Sequence, residues 1–383
     1  MKILVLIITF ISTVFIHAQN NSALEYALTA YDGQDFQTAL IGFSKCIESD
    51  SSHILCHEKA LLCAYKIGDF STSKTLAIQL EKKDSFNLIS LSQLAAIYEL
   101  ENNAPLAIKY YLKLIKSYPK NAFYFRKLAQ QYQSANLVQD AFINYGEAIK
   151  LNDRDLLSLK GLAEIYLMNN HYVEADSILN KALSQDSTNI TMHFLIAQSK
   201  YRQKQYEETV YYLEKTKGRL DLSPYYNKLL GYSYMQIDSL DQAIFHLEKS
   251  LTDKGNKEHA HYYLATAYEK KENPEYAKFH YAEAIKAGIS ENIDLYHRSL
   301  GRIFDRENNL KEAIPHYHEA HKYGNDPLIY YYLARASDTY YKDKTIAMRY
   351  YTLYINSMHN DQAYQNHAIA RRRYLKEQLH LQN

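Results

Sequence analysis

Histidine is the residue type that most invites a chemical interpretation in this sequence, which contains 16 of them. The densest group is HYHEAH at 316–321. On a helix, His318 and His321 share a face, whereas His316 points elsewhere because it lies two positions from His318. Three imidazoles therefore cannot converge on one zinc ion through bonds of about 2 Å. We predict no metal site in this segment.

Three cysteines, Cys46, Cys56 and Cys63, lie within 18 residues of one another. In an oxidising compartment one disulfide, Cys46–Cys56, would staple the N-terminal end of the fold. The alternative is that all three are buried thiols, which pack as small apolar side chains. The sequence leaves both alternatives open.

Catalytic motifs are not found in the sequence, which contains no HExxH, GxSxG, glycine-rich phosphate loop or catalytic cysteine signature. We therefore predict that the protein is not an enzyme and uses no cofactor. The charges nearly cancel, with 44 Lys+Arg against 43 Asp+Glu. A dedicated nucleic-acid-binding protein usually carries a large basic excess, so nucleic acid is not an expected partner.

A small residue recurs every 34 positions and organises the whole chain. It is alanine in eight of ten places, and one interval is 36 residues long. The positions are Ala39, Ser73, Ala107, Ala141, Ala175, Thr209, Ala243, Ala277, Ala313 and Ala347. Four residues after them a large apolar or aromatic residue is usual, as at Tyr111 and Tyr145. This spacing is typical of one face of an amphipathic helix.

A second set of residues, nine of ten of them small, lies about twelve positions before the first set. Its members are Ala27, Leu61, Ala95, Ala129, Ala163, Ala197, Gly231, Ala265, Gly301 and Ala334. Turn signals such as NNAP at 102–105 separate the two sets. Each repeat is thus predicted to be two helices, and the small residues mark where their axes approach closely. Pro105 and Pro274 are expected near the start of second helices, where a missing N–H is tolerated.

The pattern resembles the tetratricopeptide repeat (TPR) family in its period, its small positions and its aromatic positions. The resemblance implies an all-α, right-handed, superhelical solenoid of helix-turn-helix repeats. About ten repeats would occupy residues 20–356, and residues 357–383 would form a C-terminal capping helix. Pro315 departs from the pattern, because it falls inside a predicted second helix and should kink or loosen it.

His246, His280 and His316 occupy equivalent second-helix positions in consecutive repeats. Stacked helices are about 8–10 Å apart, so these side chains cannot share a metal ion. We interpret them as a partly exposed stripe of His and Tyr along the stack.

The resemblance also implies that the first helices line a concave groove, which in this family holds peptides or partner helices. Among the residues that face away from the packed stripe of these helices, those nearest the N-terminus are apolar, and the rest mix Arg, Lys and Tyr. The candidate binding residues are Arg126, Lys160, Phe194, Tyr201, Lys228, Tyr232, Tyr262, Arg298, Arg302, Tyr331 and Arg335. Arg and Tyr dominate protein-recognition hot spots, so we predict a partner-binding groove whose arginines pair with acidic groups of the partner. The Lys-x-x-x-Asn clamp for a terminal carboxylate is not found, because the residue four positions after Lys160 is Glu164 and not Asn.

The first eighteen residues predict where the protein is located. Lys2 precedes an apolar run, and Ala18 is followed by Gln19, which together are typical of a secretory signal peptide at 1–18. The run is short for a membrane span, although an uncleaved anchor is the alternative. No cysteine stands near the cleavage site, so a lipoprotein signal is not expected. We predict export to the periplasm or the extracellular space, with no membrane span after cleavage.

These observations favour a non-catalytic scaffold or adaptor of the cell envelope that binds a partner peptide or helix in its groove. Two alternatives use the same features. One is an envelope protein that binds carbohydrate or polyanion through the same Arg/Tyr groove. The other is the sensor module of a regulatory system.

Overall fold

The computed structural model describes residues 24–218, 220–252, 257–288, 291–357 and 361–381. Within those ranges the regular secondary structure is entirely α-helical, which confirms the predicted all-α helical repeat fold. The predicted signal peptide at 1–18 lies outside the described residues. The chain divides into two compact units, one up to Met192 and one from His193.

The first unit consists of helices that are joined in antiparallel pairs by short turns. Its helices are α1 (24–32), α2 (Phe36–Ser49), α3 (Ile54–Lys66), α4 (Phe70–Lys83), α5 (Leu88–Leu100), α6 (Ala104–Ser117), α7 (Ala122–Ser134), α8 (Val138–Leu151), α9 (Leu156–Met168) and α10 (Tyr172–Gln185). Each odd-numbered helix is the first of its pair and each even-numbered helix is the second.

The second unit continues the same alternation. Its helices are α11 (Ile190–Arg202, which begins at the end of the first unit), α12 (Tyr206–Glu214), α13 (Pro224–Gln236), α14 (Leu240–Ser250), α15 (Glu258–Lys270), α16 (Pro274–Ala287), α17 (Ile293–Arg306), α18 (Leu310–Tyr323), α19 (Leu328–Tyr340), α20 (Lys344–Asn356) and α21 (Gln362–Leu381). Helix α21 packs against α20.

Side-chain caps begin many of these helices. Asp69 accepts a hydrogen bond from the Thr72 N–H at the start of α4, and Asn103 accepts one from the Leu106 N–H at the start of α6. Such caps satisfy backbone donors that have no partner within the helix. Pro105 and Pro274 lie in the first turn of α6 and at the start of α16, as predicted.

Within each helix pair from α1–α2 to α17–α18, the turn between the two helices contains one residue with left-handed backbone. These residues are Gln34, Gly68, Asn102, Asn136, Asn170, Lys204, Asp238, Glu272 and Asn308, with φ between 54° and 83°. The N–H of the following residue donates to a carbonyl five residues earlier, for example Asn103 to Tyr98 at 2.8 Å. This is the bond that closes a Schellman motif and ends the first helix. The turn therefore fixes how each pair of helices folds back.

The small residues lie where the sequence places them, at helix–helix contacts. All ten members of the set that begins with Ala39 are fully buried, including Ser73 and Thr209. The Ser73 hydroxyl donates to the Leu61 carbonyl across the pair at 2.9 Å. At Gly231, an added Cβ would lie 2.9 Å from the Leu247 backbone nitrogen, so the two helices come within backbone contact there. This explains the recurrence of alanine and glycine.

Buried tyrosines fill the space beside these contacts. Tyr111, Tyr145, Tyr281 and Tyr317 occupy equivalent second-helix positions and are almost fully buried. Each hydroxyl donates to a side-chain oxygen twelve residues earlier, on the first helix of the same pair, at 2.8–3.0 Å. A buried phenol needs such a partner, so each tyrosine contributes both packing area and a specific bond.

Pro315 does not end its helix, since α18 runs from Leu310 to Tyr323 through it. The proline lies in the second turn, so the hydrogen bond that it removes is one to Lys311 near the helix start. None of the helices in the described ranges combines the length and the apolar character that crossing a membrane requires.

Candidate interaction surfaces

The second unit carries a continuous row of aromatic rings on its first helices, which we call the aromatic ladder. Tyr201 on α11 lies 5.7 Å from Tyr232 on α13, measured between ring centroids, and Tyr232 lies 4.5 Å from Tyr263 on α15. Tyr263 continues to Tyr262 at 5.6 Å, and Tyr262 lies 5.1 Å from Tyr296 on α17. Four consecutive first helices thus contribute rings to one row.

Most of the ladder is half-buried, with one face of the rings packed and the rest accessible. Tyr201, Tyr232, Tyr262 and Tyr263 are intermediate in exposure, whereas Tyr296 is buried. Burial, with a smaller contribution from neighbouring tyrosines, raises the pKa of Tyr232 and Tyr263 to about 12. The phenols therefore remain neutral near pH 7, and the ladder presents flat apolar rings with uncharged hydroxyl groups.

Phe194, another predicted groove residue, lies on α11 and stacks on Tyr226 of α13 with ring centroids 4.1 Å apart. Next to this pair, the Gln198 amide donates to the Tyr225 hydroxyl at 3.1 Å. Tyr225 is 44% exposed, so the aromatic surface extends outward beyond the ladder.

All but one of the predicted basic residues have acidic partners within the chain. In the first unit, Arg126 on α7 pairs with Asp155 at 2.7 Å, and Lys160 lies 3.4 Å from Glu164 on the same helix. Asp155 also caps α9, accepting a bond from the Leu157 N–H. The Arg126 pair therefore joins successive first helices and supports their stacking.

The same arrangement recurs in the second unit. Arg298 on α17 pairs with Asp326, which accepts a bond from the Leu328 N–H at the start of α19. Arg335 pairs with Asp305, and Arg302 lies 4.0 Å from Glu269. The sequence pattern predicts that Arg298 and Arg302 face a partner. In the structure, Arg298 pairs with an acidic group just before the next first helix, and Arg302 lies near an acidic group on the preceding first helix.

Lys228 differs from the other basic members of the predicted set. Within the part of the chain that the structure describes, no ion pair to it is found. It lies on α13 near the aromatic ladder, with intermediate exposure. A positive charge is thus available beside the rings.

Tyr331 lies away from any open surface, since it is only 7% exposed. Its ring contacts Tyr354 on α20 and Tyr364 on α21, and its hydroxyl lies 3.2 Å from His367 Nδ1 on α21. The equivalent residues of earlier repeats remain partly open. Tyr331 belongs to the packing of α21 and is not an accessible groove residue.

The equivalent second-helix histidines form buried or partly buried pairs with first-helix residues. His246 Nδ1 lies 2.9 Å from the Asn227 side-chain oxygen, His280 Nδ1 lies 3.0 Å from His261 Nδ1, and His316 Nδ1 lies 2.9 Å from His297 Nδ1. His246 and His280 are less than 10% exposed. The predicted partly exposed stripe is therefore largely internal. Its members link the two helices of one pair.

Cys46 and Cys56 are joined by a disulfide, with Cα atoms 6.2 Å apart, and Cys63 is a buried free thiol. Of the groups in the described ranges, Cys46, His53 and Cys56 are the set whose ligand atoms lie close enough together for a metal ion. His53 is not among the residues that we singled out from the sequence. The spacing C-x6-H-x2-C was the available signal.

Two family models match parts of the sequence. A tetratricopeptide repeat model matches residues 90–121. The model of anaphase-promoting complex (cyclosome) subunit 3 matches residues 118–216. No match was found among curated proteins.

Several solved structures are similar to parts of the chain. YrrB, described as a TPR protein with an unusual peptide-binding site, is 21% identical; the match covers 46% of this chain and 91% of YrrB, with a TM-score of 0.43. A tetratricopeptide repeat protein from Parabacteroides merdae is 14% identical over 67% of this chain and 98% of its own, with a TM-score of 0.46. PilF from Pseudomonas aeruginosa is 20% identical over 55% and 94%, with a TM-score of 0.43. At these identities the similarities transfer no ligand or partner to this chain.

The matched residues 90–216 contain the same small positions and left-handed turns that recur on either side of them. The chain is therefore a tetratricopeptide repeat protein.

Proposed function

We propose that this protein is a non-catalytic interaction scaffold of the cell envelope, which binds an extended segment or helix of a partner protein. The observation that carries the proposal is the aromatic ladder of Tyr201, Tyr232, Tyr263, Tyr262 and Tyr296. Its accessible rings come from three successive first helices, α11, α13 and α15, and Tyr296 of α17 supports them from below the surface. They form an elongated surface, which suits an elongated ligand better than a compact one.

Recognition by this surface would depend mainly on aromatic packing. A half-buried tyrosine has already lost much of its side-chain freedom, so a partner gains contact area at a small further entropic cost. The neutral hydroxyl groups can exchange hydrogen bonds with a partner backbone. Because Arg298, Arg302 and Arg335 already have acidic partners, net charge contributes less than the sequence implied.

Lys228 is the basic side chain beside the ladder that remains available for an acidic group of the partner. One partly exposed charge of this kind contributes about 0–1 kcal/mol and is screened by salt. We therefore expect partner binding to depend weakly on ionic strength. A binding constant that fell steeply with salt would favour a polyanion as the natural ligand.

The envelope location is supported by the signal-like features of residues 1–18 in the sequence. Fractionation of the native host, with an antibody against the chain, tests it. Recovery of the protein in the cytosolic fraction would contradict this part of the proposal and leave the binding surface untouched.

A photo-crosslinking amino acid at position 232 tests the binding surface directly. The expected result is a covalent adduct with one envelope protein, which mass spectrometry then identifies. The matched control places the same cross-linker at Tyr211, which is 54% exposed but lies on the second helix α12. Equal yields of the same adduct from both positions would contradict the proposal.

Affinity measurements with the identified partner complete the test. Tyr232→Ala should weaken binding by about tenfold or more, as expected for a central aromatic contact. Tyr232→Phe retains the ring and should weaken binding less. If soluble glycan fragments, and not the partner's own peptide, displaced the bound partner, a carbohydrate-binding function would replace this one.

A further inference from the structure

The connection between α2 and α3 brings three potential metal ligands together. Cys46 lies in the last turn of α2 and Cys56 in the first turn of α3. His53 is the N-cap of α3, and its ring accepts a bond from the Cys56 N–H at 3.4 Å. One ligand atom from each of the three residues lies within 4.8 Å of the others.

The turn that holds His53 is organised by its own hydrogen bonds. The Asp50 N–H donates to the Cys46 carbonyl at 2.9 Å, and the His53 N–H donates to the Asp50 carbonyl at 3.1 Å. The Ser52 N–H donates to the Asp50 carboxylate at 2.9 Å. These bonds do not involve sulfur, so the three ligands should stay close together when the disulfide is opened.

We propose that Cys46, His53 and Cys56 form a redox-gated site for one thiophilic divalent cation of the Zn²⁺ class. In the oxidised chain the disulfide uses both sulfurs. A dithiol or phosphine reductant supplies two electrons, and two protons complete the thiols. Binding of the cation then releases these two protons to water and leaves two thiolates and a neutral imidazole as ligands.

The dimensions fit this chemistry. Zinc–sulfur bonds of about 2.3 Å in a tetrahedron place two sulfurs about 3.8 Å apart. Rotation of the two side chains about χ1 can produce that separation from Cα atoms 6.2 Å apart, without moving the backbone. Cys46 and Cys56 are buried, while His53 is partly exposed. The fourth coordination position would therefore face water on the His53 side.

Cys63 is a different kind of thiol. It is fully buried on α3, and burial raises its pKa to about 11. Its sulfur is not among the ligand atoms that lie within 4.8 Å of one another, so it is not expected to bind the cation. It is therefore a matched control for Cys46 and Cys56, since it is a cysteine of the same hydrophobic cluster.

The experiment uses the purified full-length chain in two states, oxidised and reduced with a phosphine. Each is titrated with Zn²⁺ in competition with a chromophoric chelator, and Co²⁺ is used separately to detect thiolate-to-cobalt charge-transfer absorption. The reduced chain should bind one equivalent of Zn²⁺, and with Co²⁺ it should show the charge-transfer absorption. The oxidised chain should bind none, and reoxidation should release the ion.

Variants test the assignment of the ligands. His53→Asn keeps a side chain that can cap α3 and should lower the affinity of the reduced chain at least about tenfold. His171→Asn, at an exposed histidine elsewhere, and Cys63→Ser should bind like the parent. Circular dichroism shows whether each variant folds. If Cys46→Ser fails to fold, His53→Asn still decides the question.

Three results would overturn the proposal. They are no Zn²⁺ uptake by the reduced parent, equal uptake by the oxidised parent, and unchanged affinity in His53→Asn.

Discussion

Acidification should weaken the second unit at its paired histidines. His280 is 7% exposed, and its Nδ1 lies 3.0 Å from His261 Nδ1. Its ring also stacks on Tyr268 at 5.6 Å. Burial, together with the neighbouring imidazole of His261, lowers the pKa of His280 from 6.5 to about 4, although Glu283 opposes this effect. The bond between the two Nδ1 atoms needs one nitrogen that carries a proton and one that does not. Protonation of the accepting nitrogen therefore breaks it.

The sign and the size of the effect follow from this pKa. In the unfolded chain His280 takes up a proton below about pH 6.5, whereas in the folded chain it does so only below about pH 4. Stability is therefore lost as the pH falls from 6.5 towards 4. Between pH 7.5 and pH 5 the loss from His280 alone is about 2 kcal/mol. Burial also lowers the pKa of His261, His297 and His316, which adds to this loss.

Urea denaturation at pH 7.5 and pH 5 measures this change in the free energy of unfolding. Hydrogen exchange shows which helices open. Protection factors, which compare the observed exchange with the intrinsic rate at the same pH, should fall strongly in α15 and α16 at pH 5. His280→Gln retains a hydrogen-bonding side chain without a titrating group, so the difference between the two pH values should shrink by about 2 kcal/mol. The control is His171→Gln, at an exposed histidine in the first unit. The reasoning is wrong if both variants retain the parental pH dependence.

Three further predictions concern the repeat and its processing. Gly301→Ala should destabilise the chain by about 1–3 kcal/mol, because the new Cβ would lie 2.6 Å from the Tyr317 ring. Gly146→Ala has open space around it and should stabilise α8 by about 0.5–1 kcal/mol. Thermal melting of both variants checks this, and equal shifts of the same sign would contradict it. Glu272→Gly should raise the melting temperature, since a non-glycine residue at φ 57° costs about 1 kcal/mol, and Asn136→Gly should gain less. N-terminal sequencing of the protein from its host should find Gln19 first; an intact Met1 in the membrane fraction would favour an uncleaved anchor.

Features that depend on one repeat were predictable from the sequence. Ala107 and Ala141 recur at constant spacing because each helix pair needs a close contact, and both are fully buried. Pro105 marks the start of α6 for a local reason, since its backbone needs no hydrogen bond there. Such signals depend on neighbouring residues only, so periodicity reveals them.

Features that depend on two repeats were not predictable in the same way. Arg126 faces away from the core of its own helix pair, which made it resemble a free surface residue. Its partner Asp155 lies 29 residues later, and only the stacking of successive pairs brings them together. Similarly, nothing local to Tyr331 indicates that α21 will cover it. Exposure in a single repeat is a poor guide to exposure in an array.

The two kinds of connection in this fold differ in how much variation they accept. The turns inside a helix pair are three residues long in every case, from 33–35 to 341–343, whereas connections between pairs range from four residues at 118–121 to nine at 215–223. In the turns from 33–35 to 307–309, the left-handed residue and its closing hydrogen bond fix this length. The chain should therefore accept a foreign peptide, a fluorescent domain or an affinity tag at 215–223, while the same insertion at 101–103 should unfold the pair around it.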